Sequence, residues 1–392
     1  MTMRYDIVIA GGGPSGSAAA WQAARTGAKV MVLDKAQFPR DKPCGDGLTA
    51  RGVSYLQKMG LTDEVNTFHR INKVTVYSPS EWELRFPRRP GMPDHGRTVS
   101  RTKLDALLLD HAAAAGAEVR QGAEVAGPEV DATGRVVGVV LKSGEKVLGD
   151  AVIAADGAYS PIKRALGFDS ERNGYSAIAI RAEMPADRPD SDSFEIYLKL
   201  LFEGDQLPGY GWIFPMGDGR FNIGLGYINS YRRWQSINAT QFLSDFMATL
   251  PADWNLPSVN ELRAGKSVRA WRLPMGFTAW PPWRPGVLFV GDALGAGKPV
   301  SGAGISKALE SGLTAGECAV AALTNGGPDN FGNYQQRLEA AWGREYRRGR
   351  FFNKLAGVPW VASAGLTALD NHTFRDLLLK SLYKKAQSPT HT

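Results

Sequence analysis

The sequence has few of the residues and patterns that mark secreted, metal-binding or membrane-spanning proteins. Its two cysteines, Cys44 and Cys318, exclude a disulfide framework and favour a reducing compartment. The five histidines show no metal-ligand spacing, so we expect no metal site. No run of about 18 apolar residues occurs, which argues against a membrane-spanning helix. The N-terminus has no charged-then-apolar cleavage pattern, so we expect a cytoplasmic protein.

The bulk composition is that of a globular protein large enough for two or three cores. Of its 392 residues, 43% are apolar and 22% are charged, which excludes a disordered or fibrous chain. The net charge of +7 is modest for this length. Since no zinc-finger, homeodomain or RNP-type pattern accompanies that charge, we expect no binding to nucleic acid.

The N-terminal segment has the pattern of a β-α-β unit that binds a dinucleotide. After an apolar strand pattern, Gly11, Gly13 and Gly16 follow the G-x-G-x-x-G spacing, and a small-residue helix and a second strand lead to Asp34. Gly11 permits the tight turn, Gly13 lets the backbone approach a pyrophosphate, and Asp34 can accept hydrogen bonds from a ribose. The N-terminus of the helix stabilises the anion. The motif predicts a nucleotide site without choosing between NAD and FAD.

Two blocks of the chain depart from this pattern. Alternating strands at 73–77 and 82–86, followed by a run of strands from 177 to 227, predict an antiparallel β-sheet domain. Helices are predicted over 234–250 and 304–323. Residues 327–392 are basic and helical in pattern, and their polar end predicts a disordered tail.

Two later motifs are expected to join the glycine-rich loop. Asp156-Gly157 and Gly291-Asp292 each follow a predicted strand, and an open α/β sheet binds ligands at the carboxyl ends of its strands. The three motifs, in this order, resemble those of the flavoprotein hydroxylase/reductase superfamily. That resemblance implies FAD, with Asp292 near its ribityl and pyrophosphate groups and Arg101 near the pyrophosphate.

Three further segments, at 38–48, 208–215 and 299–305, resemble the geranylgeranyl reductase family. The resemblance covers about residues 4 to 325. The family saturates double bonds of prenyl groups in chlorophyll precursors, archaeal lipids and menaquinone. Lys298, Ser301 and Ala303 depart from the family's usual residues beside the expected flavin ring, which leaves the substrate and even the reaction open.

The resemblance implies an α/β fold, α+β overall, with a Rossmann-like FAD-binding domain, an inserted antiparallel β-sheet substrate domain and a C-terminal helical region. The FAD-binding domain is predicted to comprise 1–71, 98–174 and 274–326, the substrate domain 72–97 and 175–273, and the helical region 327–392. NAD(P)H or another reductant, including an electron-donor protein, would supply the electrons. The implied FAD-binding residues are Gly11, Gly13, Pro14, Ser15, Gly16, Asp34, Lys35, Arg40, Cys44, Gly45, Arg101, Asp156, Gly157, Gly291, Asp292, Pro299, Gly302, Ala303, Gly304 and Ile305.

Reduction of a prenyl double bond needs an acid, because an isolated alkene has no carbonyl group to accept negative charge when hydride arrives. Cys44 is the candidate acid, since the resemblance places it on the active-site side. The alternative is a small packed residue, as we expect for Cys318. Tyr210 and Trp212 alternate with Phe214 on one predicted strand, so they either line an apolar substrate slot or fill a core. Tyr210 is a second candidate proton donor.

Other functions stay open on the sequence alone. Much of the pattern is shared by a flavin monooxygenase or epoxidase acting on an apolar or aromatic metabolite, by a halogenase and by a non-catalytic flavin sensor. A monooxygenase, epoxidase or halogenase needs oxygen during turnover, whereas a reductase does not. The C-terminal region interleaves arginines with Trp342, Tyr346, Phe351 and Phe352. This pattern is typical either of a helix on an anionic membrane surface or of a helix packed on its own domain.

Overall fold

The structure, a computed structural model, describes residues 4–78, 80–168, 175–324, 327 and 331–371. The polar tail that the sequence predicts to be disordered lies outside the described residues. No helix within these ranges is long and apolar enough to cross a membrane.

The described residues form twenty strands and twelve α-helices. The strands are β1 (Arg4–Ala10), β2 (Val30–Asp34), β3 (Gly47–Leu48), β4 (His69–Ile71), β5 (Lys73–Tyr77), β6 (Glu81–Arg85), β7 (Gly96–Thr98), β8 (Glu118–Gln121), β9 (Val125–Val130), β10 (Val136–Leu141), β11 (Lys146–Ala154), β12 (Ser176–Pro185), β13 (Ser193–Tyr197), β14 (Leu201–Phe202), β15 (Asp205–Gln206), β16 (Gly209–Pro215), β17 (Arg220–Ile228), β18 (Arg269–Pro274), β19 (Trp283–Arg284) and β20 (Val287–Phe289). The helices are α1 (Pro14–Ala24), α2 (Ala50–Lys58), α3 (Thr62–Asn66), α4 (Arg101–Ala114), α5 (Pro161–Ala165), α6 (Ala239–Met247), α7 (Val259–Ala264), α8 (Gly291–Leu294), α9 (Ile305–Thr324), α10 (Gly332–Leu338), α11 (Arg344–Ala356) and α12 (Pro359–Leu369).

The first large sheet is the nucleotide-binding layer. Its strand order is β19-β20-β11-β1-β2-β8, and the pairs from β20 to β8 are parallel, while β9 and β10 extend β11 as an antiparallel branch. Its central strands are continuous apolar runs, as expected for parallel strands buried on both faces. Helices α1 and α9 pack against each other beside this sheet. The predicted α/β fold with a Rossmann-like domain is therefore confirmed.

Glycines allow the first helix to approach its neighbours closely. A Cβ on Gly16 would lie 1.8 Å from the carbonyl oxygen of Gly11, and a Cβ on Gly312 would lie 2.1 Å from that of Ser15. Gly11 itself has φ +103°, a conformation that favours glycine. Because α9 can approach so closely, its N-terminal end lies beside the loop that follows β1.

The second large sheet presents its two faces to different surroundings. Its order is β18-β12-β17-β16-β13-β5-β6. One face carries apolar side chains such as Ile213, Ile223 and Leu225, which form a core with α6. Alternate residues on the opposite face, including Ala179, Tyr210 and Trp212 among others, line a cavity. The period of two along each strand therefore separates core residues from cavity residues.

The predicted helix over 234–250 is partly wrong. The chain forms a short 3₁₀ turn at Trp234–Ser236, and α6 begins only at Ala239. Asn238 interrupts the helix because its side chain accepts hydrogen bonds from the N–H groups of Thr240 and Gln241 as an N-cap.

The contact between α1 and α9 can be tested with a pair of glycine substitutions. We expect Gly312→Ala to lower the free energy of unfolding by about 1–3 kcal/mol, because the new methyl group has no space against the α1 backbone. The matched control is Gly365→Ala in α12, where no atom of the described residues lies within 4 Å of the added Cβ. There alanine should be neutral or stabilise the helix by roughly 0.5–1 kcal/mol. Urea unfolding measures both, and equal effects would contradict the close packing.

Candidate active site

One cavity of about 1430 Å³ connects the nucleotide-binding layer to the second sheet. Its walls come from the loop after β1, the end of β2, residues 40–47, the inner face of the second sheet, residues 299–305 and the two C-terminal helices α11 and α12. Of the predicted site residues, Gly16 and Gly291 alone do not line it. Both are packing positions, since a Cβ on Gly291 would lie 2.5 Å from the Ser15 hydroxyl oxygen. The other predicted residues, which come from six separate regions of the sequence (11–15, 34–45, 101, 156–157, 210–212 and 292–305), share this cavity.

The nucleotide end of the cavity is built on Asp34. One carboxylate oxygen accepts the N–H of Gly12 at 2.7 Å, and the other accepts the N–H of Ala36 at 2.8 Å. These bonds hold the carboxylate at the end of β2, with lone pairs left for a ribose hydroxyl. Gly13 has no side chain to cap α1, and among the residues that the structure describes a Cβ there would have only an Arg40 nitrogen within 4 Å, at 3.5 Å. The helix N-terminus is therefore open to an anion.

Arg101 and Arg40 are held by a residue that sequence reasoning missed. The Asp105 carboxylate, which is fully buried, accepts two hydrogen bonds from Arg101 and one from Arg40, each at 2.7 Å. Burial disfavours the Arg101 cation, but Asp105 outweighs that effect and raises the pKa of Arg101 above its ordinary value. The sequence does contain a signal for this ion pair, because Asp105 follows Arg101 by four residues and so lies on the same helix face.

Asp292 and Asp156 each have a lysine nearby that the sequence analysis did not single out. Lys42 pairs with Asp292 at 2.8 Å, and although burial opposes ionisation, Lys42 lowers the pKa of that carboxyl below its ordinary value. Burial raises the pKa of Asp156 to about 6. Burial lowers the pKa of Lys163 to about 8, against the attraction of Asp156 and Asp292. This region therefore has paired charges of both signs.

A hydrogen-bonded chain fixes the loop that carries Cys44. The Trp212 indole donates to the Asn222 side chain at 2.9 Å, and Asn222 donates to the Cys44 carbonyl and to the Asp46 carboxylate, both at 2.8 Å. Trp212 is thus a buried anchor of this loop. Cys44 is half-buried at the cavity wall. Burial raises the pKa of the Cys44 thiol and the charge of Asp46 raises it further, so the thiol keeps its proton at neutral pH.

Tyr210 joins the second sheet to the segment before α9. Its hydroxyl donates to the Ser301 carbonyl at 2.6 Å, and burial raises the pKa of Tyr210 to about 12. Because the hydroxyl proton is already engaged in the hydrogen bond to Ser301, the structure favours a positioning role for Tyr210 over proton donation to a substrate.

Several buried polar atoms at the cavity lack a partner within the protein. In the described ranges they include one carboxylate oxygen each of Asp46 and Asp156, the Trp271 indole nitrogen and the Asn353 amide oxygen. Unpaired buried polar atoms are costly unless a ligand or water completes them. Together with the open helix N-terminus, these residues fit a nucleotide cofactor such as FAD.

The shared carboxylate of Asp105 generates a stability prediction. We expect Asp105→Asn to lower the free energy of unfolding by about 3–5 kcal/mol, because two neighbouring guanidinium groups lose their buried partner. The control is Glu145→Gln, which breaks an exposed pair with Arg120 and should leave thermal unfolding nearly unchanged. Similar losses in both variants would refute the structural role of Asp105.

Comparison with known proteins supports the same assignment. The family profile of an FAD binding domain matches residues 4–344. A menaquinone reductase of Mycolicibacterium smegmatis is 37% identical over 97% of this chain and 91% of its own length. Digeranylgeranylglycerophospholipid reductase 1 of Methanopyrus kandleri is 31% identical over 88% of both chains.

A solved structure has the same fold. The geranylgeranyl bacteriochlorophyll reductase-like protein of Thermoplasma acidophilum aligns with a TM-score of 0.80, covering 94% of this chain and 92% of its own, at 24% identity. The resemblance found in the sequence, and with it the FAD cofactor, is confirmed. The chain therefore belongs to the FAD binding domain family and, within it, to the geranylgeranyl reductase group of FAD-dependent oxidoreductases.

Proposed function

We propose that this flavoprotein reduces carbon–carbon double bonds of a prenyl chain, with the side chain of an isoprenoid quinone as its substrate class. The observation that carries the proposal is the continuity of the cavity, which extends from the nucleotide-binding loop to an apolar region. The relatives named menaquinone reductase and digeranylgeranylglycerophospholipid reductase support the same chemistry. The higher identity to the menaquinone reductase favours the quinone.

The lining of the apolar region supports a hydrocarbon substrate. A prenyl chain offers no hydrogen-bonding groups, so it gains affinity by leaving water for an apolar wall. The second sheet and the segments beside it contribute aliphatic side chains to this wall, and α11 and α12 contribute others. These residues include Val74, Ile196, Leu198, Leu207, Ile228, Leu273, Leu355, Val361, Leu366 and Leu369.

The residues of the chain divide the chemistry between them. When bound and reduced, FAD supplies a hydride to one carbon of the double bond. The other carbon takes a proton, which in this proposal comes from the Cys44 thiol. α9 begins at Ile305, directly after cavity-lining residues, so the positive end of its dipole can stabilise negative charge at this place.

An anaerobic assay separates this reaction from oxygen-dependent ones. We expect the FAD-loaded protein, reduced with dithionite and given menaquinone without air, to reoxidise its flavin and to yield a product that keeps two extra hydrogens in its prenyl chain after the reaction is stopped and the quinone ring is reoxidised. Mass spectrometry and flavin absorbance measure the two events. Product that forms only in air and carries oxygen or halide would overturn the proposal in favour of a monooxygenase or halogenase. Repeating the assay with NADH, NADPH or a reduced ferredoxin as reductant identifies the electron donor.

The same assay tests the acid. Cys44→Ser should retain FAD but turn over about 100-fold more slowly or worse, because a positioned general acid contributes at least this much. Cys318→Ser is the matched control, since Cys318 lies in the core away from the cavity. Unchanged turnover in Cys44→Ser would remove Cys44 from the mechanism.

We further propose that the C-terminal helices dock on an anionic lipid bilayer. Trp342 and Tyr346 belong to the core, but Phe351 and Trp360 are 66% and 73% exposed, and Phe352, Leu355 and Val358 are also exposed. None of the α12 side chains is buried. Exposed basic residues such as Arg344 and Lys354 lie on α11. Because α11 and α12 also line the apolar region, this surface adjoins the expected entry path of a membrane lipid.

Liposome sedimentation tests the docking surface. The protein should bind vesicles that contain anionic phosphatidylglycerol better than neutral ones, and Phe351→Ser with Trp360→Ser should weaken that binding at least fivefold. Val130→Ser, an exposed apolar position on β9, is the control. Equal binding by all variants would contradict the surface. A variant that ends at residue 371 tests whether residues 372–392 cover this docking surface. Tighter vesicle binding by the shortened chain would show that they do.

A further inference from the structure

The apolar region of the cavity follows two neighbouring strands of the second sheet, β13 and β16. These strands are antiparallel, and Ile196 lies beside Trp212. Alternate residues along both strands line the cavity, namely Phe194, Ile196 and Leu198 in and just after β13, and Tyr210, Trp212 and Phe214 in β16. Because a strand rises about 3.3 Å per residue, the distance along the sheet from Phe194 to Leu198 is roughly 13 Å.

The loop that carries Cys44 closes one end of this region. Phe194 and Phe214 lie at that end, with ring centroids 4.6 Å apart. A Cβ on Gly47 would lie 3.1 Å from the Phe194 ring, and a Cβ on Gly45 would lie 3.3 Å from the Phe214 ring. The backbone of the loop therefore packs directly on the two rings and leaves no space for a hydrocarbon chain between them.

Helix α12 lies at the opposite end of the two strands. The Leu198 N–H donates to the carbonyl of Tyr77, the last residue of β5, so Leu198 lies beside the turn that follows β5. Asp370, the C-cap of α12, accepts hydrogen bonds from the Ser78 hydroxyl at 2.9 Å and from the Ser80 hydroxyl at 2.7 Å in that turn. The helix is thereby fixed over the Leu198 end of the apolar region.

The boundary between α12 and the second sheet is open. One face of α12 lines the cavity, at the helical spacing of Val361, Ala362, Gly365, Leu366 and Leu369. Gly365 is nevertheless exposed, and no atom of the described residues lies within 4 Å of a Cβ placed there. Leu355 on α11 also lines the cavity and is 44% exposed. The apolar region therefore reaches the surface of the protein beside the small residues Ala362 and Gly365.

A long prenyl chain needs an opening of this kind. In the proposed function the reacting double bond lies near Cys44, which is at the closed end of the region. A stretch of roughly 13 Å along the strands holds only a few isoprene units, whereas the chains of isoprenoid quinones and lipids are often much longer. The rest of such a chain must leave the cavity, and its apolar surface favours an apolar path.

We propose that the rest of the prenyl chain leaves between α12 and the second sheet, and that Ala362 and Gly365 are specificity-determining residues that keep this exit wide enough for long chains. This inference rests on the proposed function. The occupant is the hydrocarbon of the substrate itself, because the exit is continuous with the region assigned to the reacting double bond and has an apolar rim. The exit also opens beside the helices proposed to dock on a bilayer, so the outer part of the chain would stay in lipid.

The dependence of binding on chain length distinguishes an exit from an ordinary wall. The matched pair of variants is Ala362→Phe and Ala364→Phe, since Ala364 lies two positions further along α12, is exposed and does not line the cavity. The probes are two prenyl alcohols, geraniol with two isoprene units and solanesol with nine. Tryptophan fluorescence of the FAD-loaded protein reports binding, because Trp212 and Trp271 line the cavity. Detergent micelles in place of vesicles keep bilayer docking out of the measurement.

Ala362→Phe should bind geraniol within about twofold of the wild-type affinity but solanesol at least about tenfold more weakly, because the added ring obstructs only a chain that must leave the cavity. Ala364→Phe should change neither affinity. Equal weakening of both alcohols by Ala362→Phe would indicate general damage to the apolar wall, and unchanged binding of solanesol would also overturn the proposal. If Ala362→Phe does not fold, Gly365→Leu is the second variant, with the same expected pattern, since its side chain enters open space.

Turnover separates failure of the exit from failure of the proposed function. In the anaerobic assay, Ala362→Phe should reduce a long-chain menaquinone at least about tenfold more slowly than wild type, whereas Ala364→Phe should match wild type. If the wild-type protein reduces no prenyl lipid while Ala362→Phe still loses solanesol selectively, the proposed function fails and the exit stands. If both variants reduce menaquinone as fast as wild type, the proposed function stands and the exit is overturned.

Discussion

The hydrogen bonds that Asn222 donates to the Cys44–Asp46 loop connect the two sheets, and the arrangement of the site depends on them. Asn222 lies on β17 of the second sheet, and the loop follows the nucleotide-binding strand β2. The Trp212 indole fixes the orientation of the amide by donating to its oxygen. A thiol is thereby held between a nucleotide-binding layer and an apolar wall, where cofactor and substrate can meet.

The charged side chains lie mainly at the nucleotide end of the cavity, whereas the wall formed by the second sheet is apolar. Asp105 orients Arg101 and Arg40 at the nucleotide end, where a pyrophosphate needs cations. The inner face of the second sheet is apolar, and small residues such as Ala179 and Gly226 leave space beside the larger Tyr210. Burial at this place raises the pKa of the Cys44 thiol, so the thiol keeps its proton. The proposed reduction needs such a neutral donor, since an alkene takes up both a hydride and a proton.

The sequence predicted those elements that depend on residues close together in the chain. The glycine spacing from Gly11 to Gly16 specified the first β-α-β unit, and the alternation of Tyr210 with Trp212 specified which side chains share a face. The fold class and the FAD cofactor were implied by the resemblance of several such motifs, taken together, to a known family, and both are confirmed. The division into domains and the roles of the individual site residues stay predictions.

The missed features depend on contacts between distant segments. Asp46 has no local pattern that marks it, because its burial depends on β12 and β17, more than 100 residues away in the chain. Lys42 has no local signal either, because its partner Asp292 is 250 residues distant in the chain. The helix predicted over 234–250 failed for a different reason, since the apolar periodicity continues across the cap formed by Asn238.

A crystal structure of the protein with FAD and a menaquinone bound would test the central claim most directly. We expect the isoalloxazine ring between Cys44 and residues 299–304, with the prenyl chain in the apolar region and a double bond between the ring and the Cys44 sulfur. A prenyl chain bound elsewhere, or a ring that separates Cys44 from the chain, would contradict it.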